Sequence, residues 1–364
     1  MILSINFSIR VFVILFAALI CLAGRATTND SLNIIAVLPV FNLSGKPAPL
    51  KDIRQSLINR FKSQGLNILD EENLEKFIVR HRLRYIGGIN EATARAFREE
   101  TGAEAVLITF VELYSDISPP KIALTSRLVS TGNDPEILWM TGIGLAGDDS
   151  PGLLELSLIE NPETLLEKTV QHLSASLTGY LSGGKAWADN RRARKKFRSK
   201  ASYRSPVLDA DRKYNVAVMP FLNLSDRKYA GEVTALHFVS QLRTHENLTV
   251  IEPGQVRQAL LEMRIIMDDG ISLAGAESVF SKLDADIILT GKVLNYQDYQ
   301  GLTGKPKVGF SALLIEKKSR EIVWSYQSYH EGDEGVWFFD WGKVNTAHSL
   351  ATEMVQLAVE TIFR

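Results

Sequence analysis

The sequence predicts the α/β fold class, as two tandem duplicated domains (mixed-sheet α+β units), each a mixed β-sheet with packed helices. Three observations carry that expectation. First, Ala36-Val37-Leu38-Pro39-Val40-Phe41-Asn42-Leu43-Ser44 returns as Ala217-Val218-Met219-Pro220-Phe221-Leu222-Asn223-Leu224-Ser225, with six of nine residues identical at an offset of 217 − 36 = 181. Second, the apolar periodicity after each repeat runs through the same order of elements. Third, 364 residues suit two domains of ordinary size, each able to bury a core.

Both copies open on a short apolar run, Ile34 to Leu38 and Val216 to Met219. Proline ends each run because it cannot donate to a strand ladder. After the Asn-Leu-Ser turn, Ile53, Leu57 and Phe61 recur every four residues, and Ala235, Phe238, Val239 and Leu242 also have helical spacing. A second strand is expected at Leu66–Leu69 and at Leu248–Ile251. A helix follows each, bearing Leu74, Phe77 and Ile78 or Val256, Leu260 and Leu261. Further helices are expected at Glu91–Thr101 and Leu273–Leu283. A three-stranded meander comes next, with one face on a core in each copy, around Ile122–Ser130 and Val308–Glu316. Trp139 and Trp324 stand on its closing strands. Terminal helices at Thr164–Leu181 and Val344–Phe363 complete the order β-α-β-α-α-β-β-β-α.

At the amino end, Val11–Ala23 is an uncharged run of thirteen residues after Arg10, followed by small residues at Gly24 and Ala26. It is shorter than the ~20 residues of a spanning helix. Residues 1–26 therefore read as a cleaved export signal, with an uncleaved anchor as the alternative. Cys21, the single cysteine, lies inside it and is a candidate lipidation site, although Ile20 is larger than a lipoprotein signal wants before the acylated cysteine. Cleavage after Ala23 or Ala26 would leave no thiol, which excludes disulfides, thiol catalysis and cysteine-based zinc sites.

Composition excludes other classes. The net charge of −1 argues against wholesale nucleic-acid or membrane-surface binding. Gly142-Ile143-Gly144-Leu145-Ala146-Gly147 matches G-x-G-x-x-G, but it follows the last meander strand rather than opening a βαβ helix, so nucleotide binding is not expected. Gly301–Pro306 lacks P-loop spacing. No histidine lies in H-E-x-x-H, and His237 and His245, eight apart, read as a surface pair rather than a metal site. No serine sits in a G-x-S-x-G elbow. No catalytic, cofactor-binding or metal-binding residue is assigned, and no cofactor is expected.

Two stretches stand out. Between the expected domains (33–182 and 214–364), segment 183–213 forms a basic linker. Arg191, Arg192, Arg194, Lys195, Lys196 and Arg198 make it a candidate contact for an anionic surface, with a solvated connector as the plainer alternative. Trp337, Phe338, Phe339 and Trp341 form an aromatic cluster without a counterpart in the first copy. They are candidate partner-docking residues, with core burial as the alternative.

The repeated openings resemble the "VAVLPFxNLS" start of CsgG-type and TolB amino-terminal-type bacterial envelope domains. Gly102-Ala103-Glu104 and Asp284-Ala285-Asp286 followed by Ile287-Ile288-Leu289-Thr290-Gly291 resemble that family's "GAD-(hydrophobic)-G" step. Ser319-Arg320-Glu321-Ile322-Val323-Trp324-Ser325 resembles its "TGEVLWS" ending. The resemblance covers most of 33–180 and 214–363. Copy one departs from it at Gly45-Lys46-Pro47 and at Phe110. The resemblance implies envelope location, scaffolding or assembly work and no catalysis. Together with the export signal it leads to the expectation of an exported, periplasmic, non-catalytic scaffold or assembly protein. It would bind other envelope proteins, and itself as a further candidate, through sheet edges and the aromatic loop. The export signal disfavours a nucleic-acid partner. An outer-membrane lipoprotein accessory is the alternative, and an unrecognised enzyme the third reading. A CsgG-type pore is not expected, because Ser115–Lys121 and Asn295–Lys307 are too short and polar for strands of ~9–11 lipid-spanning residues. Nor is a TolB propeller, since no such repeat follows.

Overall fold

Each copy is built outward from one long central strand. In the first, β1 (Ile35–Val37), all buried, lies parallel to β3 (Ala105–Ser115) in the register Ile35↔Ala105. Past Pro39 the chain rejoins β3 as β2 (Phe41–Asn42), with Phe41 opposite Phe110. The Asn-Leu-Ser turn then closes on one side chain. Asn42 Oδ1 accepts from Ser44 N (2.9 Å), and its Nδ2 donates to Lys46 O (2.7 Å). Asn223 repeats this with Ser225 N (3.1 Å) and Arg227 O (2.7 Å), so identical sequence makes identical bonds.

The computed structural model describes residues 32–149, 158–184, 193–199, 201–209, 211–265, 271, 273–336 and 342–363. Copy one continues with α1 (Leu50–Ser63), α2 (Glu71–Arg80) and α3 (Glu91–Thr101). Asp70 and Asn90 cap α2 and α3 by accepting from Asn73 N and Thr93 N, and α3 stops at Gly102 in the left-handed region (φ 69°). The meander β3, β4 (Lys121–Ser130) and β5 (Ile137–Ala146) is antiparallel, and α4 (Pro162–Leu181) ends the copy. After the short strand β6 (Ala201–Arg204), copy two repeats the order. Its elements are β7 (Tyr214–Val218), β8 (Leu222–Asn223), α5 (Ala230–Leu242), β9 (Leu248–Val250), α6 (Pro253–Glu262), α7 (Leu273–Leu283), β10 (Ile287–Gln297), β11 (Lys307–Glu316), β12 (Ile322–Glu331) and α8 (Ala347–Val359). The sheets run β1-β3-β4-β5 and β6-β12-β11-β10-β7-β9, with β2 beside β3 and β8 beside β10.

The duplicated mixed-sheet order is present, with one shortfall. The strand expected at Leu66–Leu69 is reduced to a single bridge, Ile35↔Ile68, although Ile35 N still donates to Asn67 O and Leu69 N to Ile35 O. Its counterpart β9 is a full strand.

One face of each sheet carries its own two helices. Trp139 Nε1 donates to Ser176 Oγ on α4 (3.2 Å), and Trp324 Nε1 donates to Thr361 Oγ1 just past α8 (2.9 Å). The other face differs between the copies. On the first sheet, α2 and α3 cover the β1 side and copy two's α5 and α8 cover the β5 side. The layers therefore run helix, sheet, helix, sheet, with α6 and α7 on the β7 half of the second sheet's remaining face. The apolar core continues unbroken from Leu38, Phe97 and Phe110 into Val218, Phe238 and Trp324. This corrects the expectation of a meander with one wet face. Residues 121–129 of β4 are all buried, whereas β11 alternates.

The basic connector packs on copy two from Ala193 onward. Phe197 is fully buried, and β6 pairs antiparallel with β12 in the register Trp324↔Arg204.

Candidate functional site

Most of the buried charge joins the two copies. Arg127 points from β4 into copy two and forms a bidentate pair with Glu252, the residue that caps α6. Nε donates to Oε2 (3.0 Å) and Nη2 to Oε1 (2.8 Å), with both side chains 0% exposed. Arg127 Nη2 also donates to Gly87 O (2.8 Å), and Glu252 Oε1 accepts from Gly254 N (3.3 Å). Charged bidentate bonds are roughly twice as strong as neutral ones. An unpaired charge at this depth would cost several kcal/mol.

A second cluster lies further along the same face. Glu112 sits at the β3 bulge, between Val111 and Leu113. Its Oε2 accepts from His348 Nδ1 on α8 (2.6 Å) and its Oε1 from the Thr125 hydroxyl (2.5 Å). His237 on α5 stands beside it, Nε2 at 3.5 Å from Oε2. The Thr352 hydroxyl donates to His348 O (2.9 Å), so it accepts from His237 Nδ1 (3.2 Å). That leaves Nε2 to accept from the Tyr296 hydroxyl (3.3 Å). Burial pushes Glu112 upward, but the charges of His348 and His237 and the two hydrogen bonds hold it down at about 2. Burial drives His237 down to about 3, with only partial opposition from Glu112. Burial likewise raises Tyr296 well above its ordinary value, which keeps it a donor.

One carboxylate and two imidazoles with ligand atoms within 4.8 Å are a donor set transition metals accept. Here each group already has a partner in the protein, and Arg227 crowds the site by donating to the Glu112 carbonyl. The cluster is a closed hydrogen-bonded network. His237 is therefore not part of a surface pair, which corrects the reading made from its spacing. His245 instead lies beside Phe363, ring centroids 6.2 Å apart and the planes tilted by 49°.

The doubled glycine of β5 has a structural use. A Cβ on Gly142 would stand 2.7 Å from His348 Cε1, and one on Gly144 2.8 Å from His348 Cδ2. The bare backbone is thus the slot that holds the imidazole. Gly144→Val is expected to lower stability by ~1–3 kcal/mol through overpacking, measured by urea denaturation.

A cavity of about 310 Å³ also lies between the copies, with Phe41, Phe110, Val218 and Leu236 among its apolar walls. Arg257 stacks 4.1 Å over the Tyr85 ring beside it. Burial raises the Tyr85 hydroxyl above its usual value.

The residues singled out from sequence do not converge on this joint. Arg194 pairs with Glu353 and donates to Gly342 O (2.6 Å), Lys196 donates to Glu334 O, and Arg198 lies 3.8 Å from Glu360. Lys195 is exposed. Cys21, Arg191, Arg192, Trp337, Phe338, Phe339 and Trp341 lie outside the described residues. Sequence reasoning passed over Glu112, Arg127, Glu252 and His348. For Glu112 and Arg127 the available signal was a charge at an inward position of a strand.

Fold and joint together define a duplicated α/β protein whose copies pack as one compact unit over Asn33–Arg364. No protein-family model and no curated protein matches the chain. Solved structures similar to it include the PelC dodecamer from Paraburkholderia phytofirmans. It has 20% identity and a TM-score of 0.31, and the match covers 45% of this chain and 97% of that one. The hypothetical protein CT253 from Chlamydia trachomatis follows, with 15% identity, a TM-score of 0.30, and 42% and 99% coverage. Lipoprotein GNA1162 from Neisseria meningitidis has 20% identity, a TM-score of 0.28, and 40% and 99% coverage. No helix among the described residues is long and apolar enough to cross a membrane.

Proposed function

We propose that this protein is a non-catalytic scaffold of the bacterial cell envelope, exported to the periplasm, that binds other envelope proteins. The observation that carries the reading is the use made of its buried ionisable groups. Glu112, His237, His348, Arg127 and Glu252 are spent on one another across the joint between copies, which suits a rigid platform. The uncharged run Val11–Ala23 and the resemblance of both copies to CsgG/TolB-type envelope domains support the compartment.

Site-specific photo-cross-linking from Phe338 in intact cells tests the reading. Capture of an envelope protein by the processed chain is the expected result. Retention of the unprocessed chain in the cytoplasm, or cross-links to cytoplasmic proteins alone, would overturn it.

A further inference from the structure

The joint between the copies is heterologous. Copy one contributes a sheet face and copy two a helix face, so among the described residues one of each is left over. Register identifies the leftover sheet face residue by residue. Because β2 pairs Phe41↔Phe110 and β8 pairs Leu222↔Lys292, position 110 corresponds to 292 and the bulge residue Glu112 to Leu294. The ladders likewise match Arg127 with Leu313, Thr125 with Ser311, Gly142 with Gln327 and Gly144 with Tyr329. The helices α6 and α7 cover the β7 half of this face, packing Val256, Val279 and Phe280 on Ala217 and Ile288. Nothing among the described residues covers the other half. There Lys292 and Gln327 are exposed, as are Leu294 (46%), Tyr329 (51%) and Tyr203 of β6 (53%).

The leftover helix face is that of α1 and α4. The shared N-caps Asn161 and Thr346, with the matched Trp139–Ser176 and Trp324–Thr361 bonds, set Glu163 at the place of His348 and Glu167 at that of Thr352. A groove of about 630 Å³ between α1 and α4 is lined by three carboxylates, Asp52, Glu163 and Glu167, against one cation, Arg60. The two leftover faces are thus complementary in charge, with Lys292 where the first sheet has Phe110.

We propose that the open half of the second sheet receives α1 and α4 of another copy of this chain, head to tail, repeating between chains the stacking found within one. Tyr329 and Gln327 fill the slot that Gly144 and Gly142 leave open in copy one, so the helices seat less deeply and the contact is reversible. A heterologous contact does not close by two-fold exchange, so growth continues beyond a dimer unless a ring forms. The inference does not rest on the envelope role, because it concerns the purified chain alone.

Sedimentation velocity of the purified full chain should show average mass rising with concentration and falling as salt is added. Lys292→Glu, and separately Glu163→Lys with Glu167→Lys, should each weaken association about tenfold or more, equal to ~1.4 kcal/mol. Mixing these two variants, or combining all three changes in one chain, should restore it. Unchanged melting curves would show that these exposed substitutions leave the fold intact. A wild-type chain that stays monomeric at every concentration and salt would overturn the proposal, leaving the face to a different partner. Association unaffected by the helix substitutions would do the same, because pairing through sheets alone ignores them.

Discussion

Arg127→Ala is expected to cost ~3–5 kcal/mol of folding stability, the largest effect of any single change at the joint. The guanidinium and the Glu252 carboxylate are both 0% exposed, and removing one leaves the other charged in an apolar setting. Urea denaturation would report the loss as a lower midpoint at unchanged slope. The double variant Arg127→Met, Glu252→Leu separates a stranded charge from a lost attraction. It should recover most of the loss, because exchanging a buried ion pair for apolar groups of similar volume is often neutral or stabilising. A double variant as unstable as Arg127→Ala would mean that the ion pair itself holds the copies together.

Acid should weaken the same joint well before general acid unfolding. His237 titrates at about 3 when folded, against an ordinary value of 6.5. The unfolded chain therefore takes up a proton that the folded chain refuses. This contribution is complete above pH 6.5 and is lost as the pH falls toward 3, at ~1.4 kcal/mol per pH unit. Glu112 acts in the same direction at lower pH. Its folded value of about 2, against 4.5, gives stability present above 4.5 and lost as the pH falls through about 2. Thermal melts from pH 7 to pH 4 should thus fall steeply in the wild type. They should fall less in His237→Gln, which keeps an acceptor near Tyr296 without a basic nitrogen. Parallel slopes would count against His237 as the titrating group.

The parts of this structure legible in the sequence are those fixed by neighbours along the chain. Helices α3 and α7 fall at Glu91–Thr101 and Leu273–Leu283 as their apolar spacing implies, because a helical stripe is written within a dozen residues. The pattern at Leu66–Leu69 equals that at Leu248–Ile251, yet only the second becomes a full strand. That outcome depends on pairing at the sheet edge rather than on local preference. The joint was hidden for a stronger reason. Arg127 meets Glu252 and Glu112 meets His348 across 125 and 236 residues, and no periodicity spans such gaps. The double burial of β4 had the same cause, since the second cover comes from the other copy. The glycines at 142 and 144 resembled a phosphate loop because close approach, whether to a phosphate or to an imidazole, asks for the same missing Cβ.

The strand β6 has a practical corollary for anyone dividing this protein. Its pairing shields the backbone amides and carbonyls of β12 with residues that precede the second repeat. A fragment begun at residue 214 would expose that row as a template for adhesion between molecules. Begun at residue 193, it would keep that row covered and retain the Phe197 anchor, although the α5 and α8 face that packs on copy one would still be laid bare.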